Sequence, residues 1–196
     1  MKSYAIADID AMPDENRFLK ALAEIADAGV DTIQLRAKSL QGRELMRLAE
    51  RCRAIIPSNT LFLINGRSDI AVACDADGVH LPSTGLPAHA VRAISPSMIV
   101  GRSCHSLTDV EQAKGEGADY VLLGPVFSTR SKSAEGRISL SELRSAAAEI
   151  PTFALGGISR ENIAQLRGLG LAGVAAITMF MSDRPLEPIM SAVRSM

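Results

Sequence analysis

Eight times along the chain a short run of Val, Ile, Leu and Ala is followed by a stretch whose apolar residues recur with helical spacing. The strand-type runs cover residues 3–9, 32–37, 61–65, 78–82, 98–105, 119–126, 152–157 and 173–178. Between them, residues 17–28, 42–56, 70–74, 87–94, 107–116, 140–149 and 160–169 read as helices, with a last helix from about Leu186. In the first of these, Phe18, Leu22 and Ile25 share one helical face and Gly29 supplies the stop. The strands are nearly continuous apolar runs rather than alternating ones, as parallel strands covered on both faces should be. Eight such units predict an α/β protein, a (β/α)8 TIM barrel forming a single domain over residues 1–196. An open doubly wound sheet of fewer strands is the competing arrangement, because the third and fourth helices are weakly marked.

Composition limits the partners. Hydrophobic residues make up 47% of the chain, charged residues 22%, and the net charge is -1. That balance fills a substantial core and leaves no excess of charge to hold nucleic acid or an anionic membrane. No apolar run reaches membrane-spanning length and the first strand begins at once, so a cytoplasmic protein is expected. Cys52, Cys74 and Cys104 are odd in number and widely spaced, which points to neither a disulfide framework nor a zinc site. Cys104 neighbours His105 but faces the other way by strand alternation. It reads as packing, with a nucleophile as the lesser alternative.

Barrel enzymes carry their chemistry at the carboxyl ends of the strands. The fifth strand ends in Gly101, Arg102, Ser103 and His105, and alternation puts Ser103 and His105 on one face. An imidazole there can move a proton near neutral pH, so His105 is the catalytic candidate; its plain alternative is a surface residue flanking the next helix. Gln34, Arg36 and Lys38 alternate at the end of the second strand. Two cations and an amide on one buried face are costly without an anion. Either a ligand supplies it, or Lys38 lies in the loop and Arg36 pairs with a nearby carboxylate. Gly156 and Gly157 after the seventh strand, with Ile177 and Thr178 after the eighth, stand where barrels place a backbone phosphate cup. The polar loop 127–136, which contains Ser131 and Lys132, is expected to be an oxyanion-binding lid. His80 reads equally well as a satisfied core histidine or a catalytic one, and His89 has no assigned role. Asp8, Asp10 and Asn65 are polar at the mouth, for substrate contact or loop capping.

Taken in order, Gln34, Arg36 and Lys38, then Asn65, Gly78 and His80, residues 101–105, 117–126, 129–132 and 156–158 resemble the family of thiamine phosphate synthases and the related TenI-type thiazole tautomerases. The likeness runs over nearly the whole chain. For a synthase it implies displacement of pyrophosphate from a hydroxymethylpyrimidine diphosphate by a thiazole phosphate, with magnesium held by two aspartates. At the two corresponding positions this chain has Gly66 and Gly85, and glycine offers Mg²⁺ no side-chain oxygen.

The first reading is therefore the isomerase branch, a metal-independent tautomerase without a cofactor that aromatises a thiazole carboxylate phosphate. The resemblance then implies that His105 shuttles the proton and that Arg36 and Lys38 meet the carboxylate. Gly156, Gly157, Ile177 and Thr178 take the phosphate. Gln34, Asn65, Ser103, Ser131 and Lys132 complete the substrate contacts, the last three at positions that meet pyrophosphate in a synthase. The alternative is the synthase itself, with magnesium and with Asp69, Asp75 or Asp77 replacing the missing carboxylates; a non-catalytic binder of thiamine-pathway phosphates is a third. In each case the partner is a small phosphorylated heterocycle. Apolar residues on the helices leave room for a homodimer.

Overall fold

The computed structural model describes residues 1–128, 136–182 and 185–196. Its strands are β1 (Lys2–Asp8), β2 (Thr32–Arg36), β3 (Leu61–Asn65), β4 (Gly78–Leu81), β5 (Ile99–Cys104), β6 (Tyr120–Leu123), β7 (Thr152–Leu155) and β8 (Gly173–Ala176). They close in sequence order into a parallel barrel, β8 pairing back onto β1. The helices are α1 (Glu15–Asp27), α2 (Gly42–Ile55), α3 (Ser68–Ala73), α4 (Ala88–Ile94), α5 (Leu107–Gly115), α6 (Leu140–Glu149) and α7 (Glu187–Arg194). The open sheet is thus excluded by closure. No helix among the described residues is long and apolar enough to cross a membrane.

Strand alternation builds two cores. One set of side chains fills the barrel: Tyr4, Ile6, Leu63, Tyr120, Leu122, Phe153 and Ala175. The opposite set, with Ile33, Phe62, Val79 and Val100 among its members, meets the helices. On α1 the expected stripe is buried, with Phe18, Leu22 and Ile25 fully enclosed. Each contributes roughly 1.5–3 kcal/mol relative to exposure. Caps fix the helix starts: Asp14 accepts from the Arg17 amide, Ser106 from the Asp109 amide, and Ser139 with Glu142 forms a reciprocal capping box.

The helix expected over residues 160–169 does not form. Only a 3-10 turn, Ile163–Leu166, connects β7 to β8. Asn162 diverts the start of this segment, accepting from the Ser159 amide and donating to the Gly157 carbonyl. Such side-chain bonds offer the backbone an alternative to helix. Gly168 and Gly170, both at positive φ, then turn the chain out of the helical region.

Candidate active site

At the carboxyl end of the barrel a cavity of about 350 Å³ opens, within the range of small-molecule sites. Its polar wall is made by Gln34, Arg36, Asn65, His80, Ser103 and His105, and its apolar wall includes Ile6, Leu122, Leu155 and Ile177. A larger hollow of about 730 Å³ lies at the other end, beside Arg53, Asp75, Asp77 and Ser95. Asp77 immediately precedes β4. That is the stabilising end of a barrel, not the end where strands deliver chemistry.

His105 is exposed at the rim, and its Nδ1 stands 2.6 Å from the carbonyl oxygen of Gly124. A carbonyl only accepts, so in the neutral ring Nδ1 carries the hydrogen and Nε2 keeps the lone pair. Asp109 holds the His105 amide at 2.7 Å. Ser103 sits on the same face two residues earlier, its hydroxyl 2.8 Å from His80 Nε2. The intervening Cys104 points away into the helix shell, where burial pushes its thiol up to about 12, so it packs rather than reacts. Arg102 also faces outward, donating to the Leu86 and Ser83 carbonyls and pairing with Glu116 at 3.1 Å. It fastens the loop after β4 and takes no part in the cavity.

At β2 the second of the two readings holds. Arg36 forms an ion pair with the buried Asp8, its register partner on β1. Arg36 still lines the cavity. Lys38 does not, because β2 ends at Arg36 and the Lys38 amide is held in the loop by Asp10 at 2.9 Å. Gln34 donates to Asn65 Oδ1 at 3.0 Å and accepts from Tyr4 at 2.8 Å.

Only half of the expected phosphate cup faces the cavity. Gly156 and Ile177 line it. Gly157 instead packs under the loop after β6, where a Cβ would come within 2.5 Å of the Ser128 carbonyl oxygen. Thr178 borders a neighbouring hollow of about 300 Å³ with Ser159 and Arg160. Both glycines adopt positive φ, 99° and 65°, a conformation side chains resist. Ser131 and Lys132, with most of the expected lid, lie outside the described residues.

His80 proves to be neither isolated nor simply packed. Its Nδ1 is 3.2 Å from the Tyr120 hydroxyl, which is 2.9 Å from the Tyr4 hydroxyl. Burial holds the imidazole neutral, with its pKa pushed down to about 3. The two tyrosines are the chain's only ones, both on strands and both inside the barrel. Their rarity was the one signal in the sequence that could have exposed this network.

The residues at the mouth do not fit a magnesium centre. Gly66 and Gly85 provide no carboxylate. Asp69 is engaged through both oxygens by Arg67, at 2.8 and 2.6 Å. Asp75 and Asp77 border the hollow at the opposite end, and Asp77 is held by the Phe62 amide and Arg53. Among the described residues no group of three or more His, Cys, Asp or Glu side chains is placed to hold a metal ion.

Fold and cavity together define a (β/α)8 barrel with a cavity of small-molecule size at its carboxyl mouth. Residues 3–180 match the family model described as thiamine monophosphate synthase. The chain belongs to that family. It is 43% identical to the thiamine-phosphate synthase of Chlorobium luteolum, over 88% of this chain and 82% of the relative. With the thiamine-phosphate synthase of Methanoculleus marisnigri it shares 41% identity over 83% and 80%. A solved thiamine phosphate pyrophosphorylase from Pyrococcus furiosus superposes with a TM-score of 0.87 at 30% identity, covering 99% of this chain and 96% of that one.

Proposed function

We infer that the protein is a transferase that joins a hydroxymethylpyrimidine diphosphate to a thiazole phosphate, making thiamine phosphate and releasing pyrophosphate. The identity of 41–43% to named synthases, with the family match over residues 3–180, carries this reading, and it reverses the order of preference that the missing carboxylates gave. In the reaction a thiazole ring nitrogen forms a bond to the pyrimidine methylene carbon while the carbon–oxygen bond to pyrophosphate breaks. No base is needed. The work of the protein is to place the two heterocycles and meet the charge of the leaving group. Gln34 and Asn65 offer amides to the heterocycle, Ser103 and Arg36 face the diphosphate, and the backbone at Gly156 and Ile177 serves the phosphate; Ser131 and Lys132 are assigned to substrate binding from the sequence alone.

A metal-independent thiazole tautomerase is the second reading, and one observation favours it. Glycines stand at both carboxylate positions while His105 Nε2 keeps a lone pair at the rim. One assay separates the two: both synthase substrates with Mg²⁺, or with EDTA, beside the thiazole carboxylate phosphate tautomer in EDTA. Thiamine phosphate is the expected product. Its absence under both conditions, with aromatisation of the tautomer, overturns the transferase in favour of the isomerase.

A further inference from the structure

Six side chains form one continuous line of hydrogen bonds across the floor of the cavity: Ser103, His80, Tyr120, Tyr4, Gln34 and Asn65. The orientation of the Gln34 amide, oxygen towards Tyr4, sets its direction. The Tyr4 hydroxyl donates to Gln34 Oε1, which only accepts, so the contact between the two phenols needs the proton of Tyr120. Burial raises both phenols well above their usual range, so each has one proton to give. With the Tyr120 proton spent on Tyr4, the 3.2 Å contact with His80 requires Nδ1–H as donor. Nε2 then has only its lone pair, and the 2.8 Å contact is made by the Ser103 hydroxyl donating to it. Every buried side-chain nitrogen and oxygen among the described residues is satisfied.

In this state Ser103 faces the cavity with lone pairs only. At the far end Asn65 gives its oxygen to Gln34, which leaves its NH₂ for the ligand. A phosphate oxygen is itself an acceptor, so it can sit on Ser103 only if Ser103 turns its proton outward. His80 must then donate from Nε2, Tyr120 to Nδ1 and Tyr4 to Tyr120. The Gln34 amide turns to donate to Tyr4, and Asn65 turns with it, freeing its oxygen. The reversed line is as fully bonded as the first. His80 stays neutral throughout, and its depressed pKa excludes it as a base that would make Ser103 a nucleophile.

We propose that His80 is a positioning residue that passes the hydrogen-bond polarity of Ser103 to Gln34 and Asn65, so that an oxyanion seated on Ser103 turns the Asn65 amide from donor to acceptor towards the heterocycle. This rests on the diphosphate-binding reading above. The site thereby recognises an amino-substituted heterocycle best once a phosphate end is in place, a coupling of two contacts that stand on β5 and β3, either side of the strand that carries His80.

The test is nitrogen NMR of the full chain labelled at its histidines, with His80 assigned by its loss in His80→Gln and inorganic pyrophosphate as the probe. Protonation at Nδ1 is expected in the free protein and at Nε2 at saturation. Pyrophosphate should also raise the affinity for a 4-aminopyrimidine without phosphate about fivefold or more, and Tyr120→Phe should abolish that gain. Should Tyr120→Phe fail to fold, Ser103→Ala serves, because it binds without a receiving hydroxyl and should show no tautomer change. If pyrophosphate saturates the site, as read at His105, and His80 keeps one tautomer, the relay is overturned and the diphosphate reading survives. If pyrophosphate does not bind, both fall.

Discussion

The Nδ1 of His105 donates to the Gly124 carbonyl across 2.6 Å, and that bond, made between the chain leaving β5 and the chain leaving β6, decides which ring nitrogen can act on a ligand. Nε2 is the only candidate base the ring offers. His105→Ala should therefore slow proton transfer on a thiazole carboxylate phosphate about a hundredfold or more. Formation of thiamine phosphate, which needs no base, should change far less. Parallel rate measurements on the two substrate sets check this, and equal losses in both would show that His105 serves binding instead.

Gly66 and Gly85 leave the mouth without the carboxylates a magnesium site requires. Gly66 has a φ of 70°, a region that Asp tolerates better than most residues. A side chain at Gly85 would press on Pro82, with contacts starting at 3.0 Å. The double variant Gly66→Asp, Gly85→Asp should lose about 1–3 kcal/mol of stability per strained site and gain calorimetrically measurable Mg²⁺ binding. Activity of the parent chain should be indifferent to EDTA. A parent that stops in EDTA would place its metal on groups other than these two.

The architecture was legible because buried strands and helical stripes leave local patterns, and residues 61–65 and 140–149 were bounded as the structure has them. Residues 160–169 misled because their apolar spacing is helical while Asn162 binds locally to Gly157 and Ser159. Ser103 and His105 could be paired from alternation alone. Arg36 could not be assigned its partner, since Asp8 reaches it only through the β1–β2 register. Lys38 was placed one alternation too far because a strand's last residue leaves no mark in sequence. The role of His80 was undecidable for the same reason as that of Arg36. Its partners Tyr120 and Ser103 are 40 and 23 residues away and meet it only when the barrel closes.

His80 also gives the fold a pH dependence. An unfolded imidazole titrates at about 6.5, whereas burial in the folded barrel moves His80 down to about 3. Between those values the unfolded chain takes up a proton that the folded chain refuses. The stabilising contribution is complete above about pH 6.5 and is lost as pH falls towards 3, at up to about 1.4 kcal/mol per pH unit. Urea unfolding at pH 7 and pH 5 should show that decline, and His80→Gln should flatten it. An unchanged slope in the variant would assign the acid sensitivity to the carboxylates.

Gly101 faces into the barrel beside Tyr120, its register partner on β6. A Cβ there would lie 2.0 Å from Tyr120 Cζ and 2.3 Å from its hydroxyl oxygen, so the glycine is the space the phenol occupies. The ring cannot step aside freely: it packs at 5.6–5.9 Å between centroids on Phe153, His80 and Tyr4 and is bonded to two of them. Gly101→Ala should therefore behave as overpacking and cost about 1–3 kcal/mol or more, read from the urea midpoint. Shrinking the partner tests the cause. Tyr120→Leu in the Gly101→Ala background should cost less than the sum of the two single changes, because the clash is present in only one of the three variants. Strict additivity would mean that Gly101 is required for another reason, and the contact with Tyr120 would not explain it.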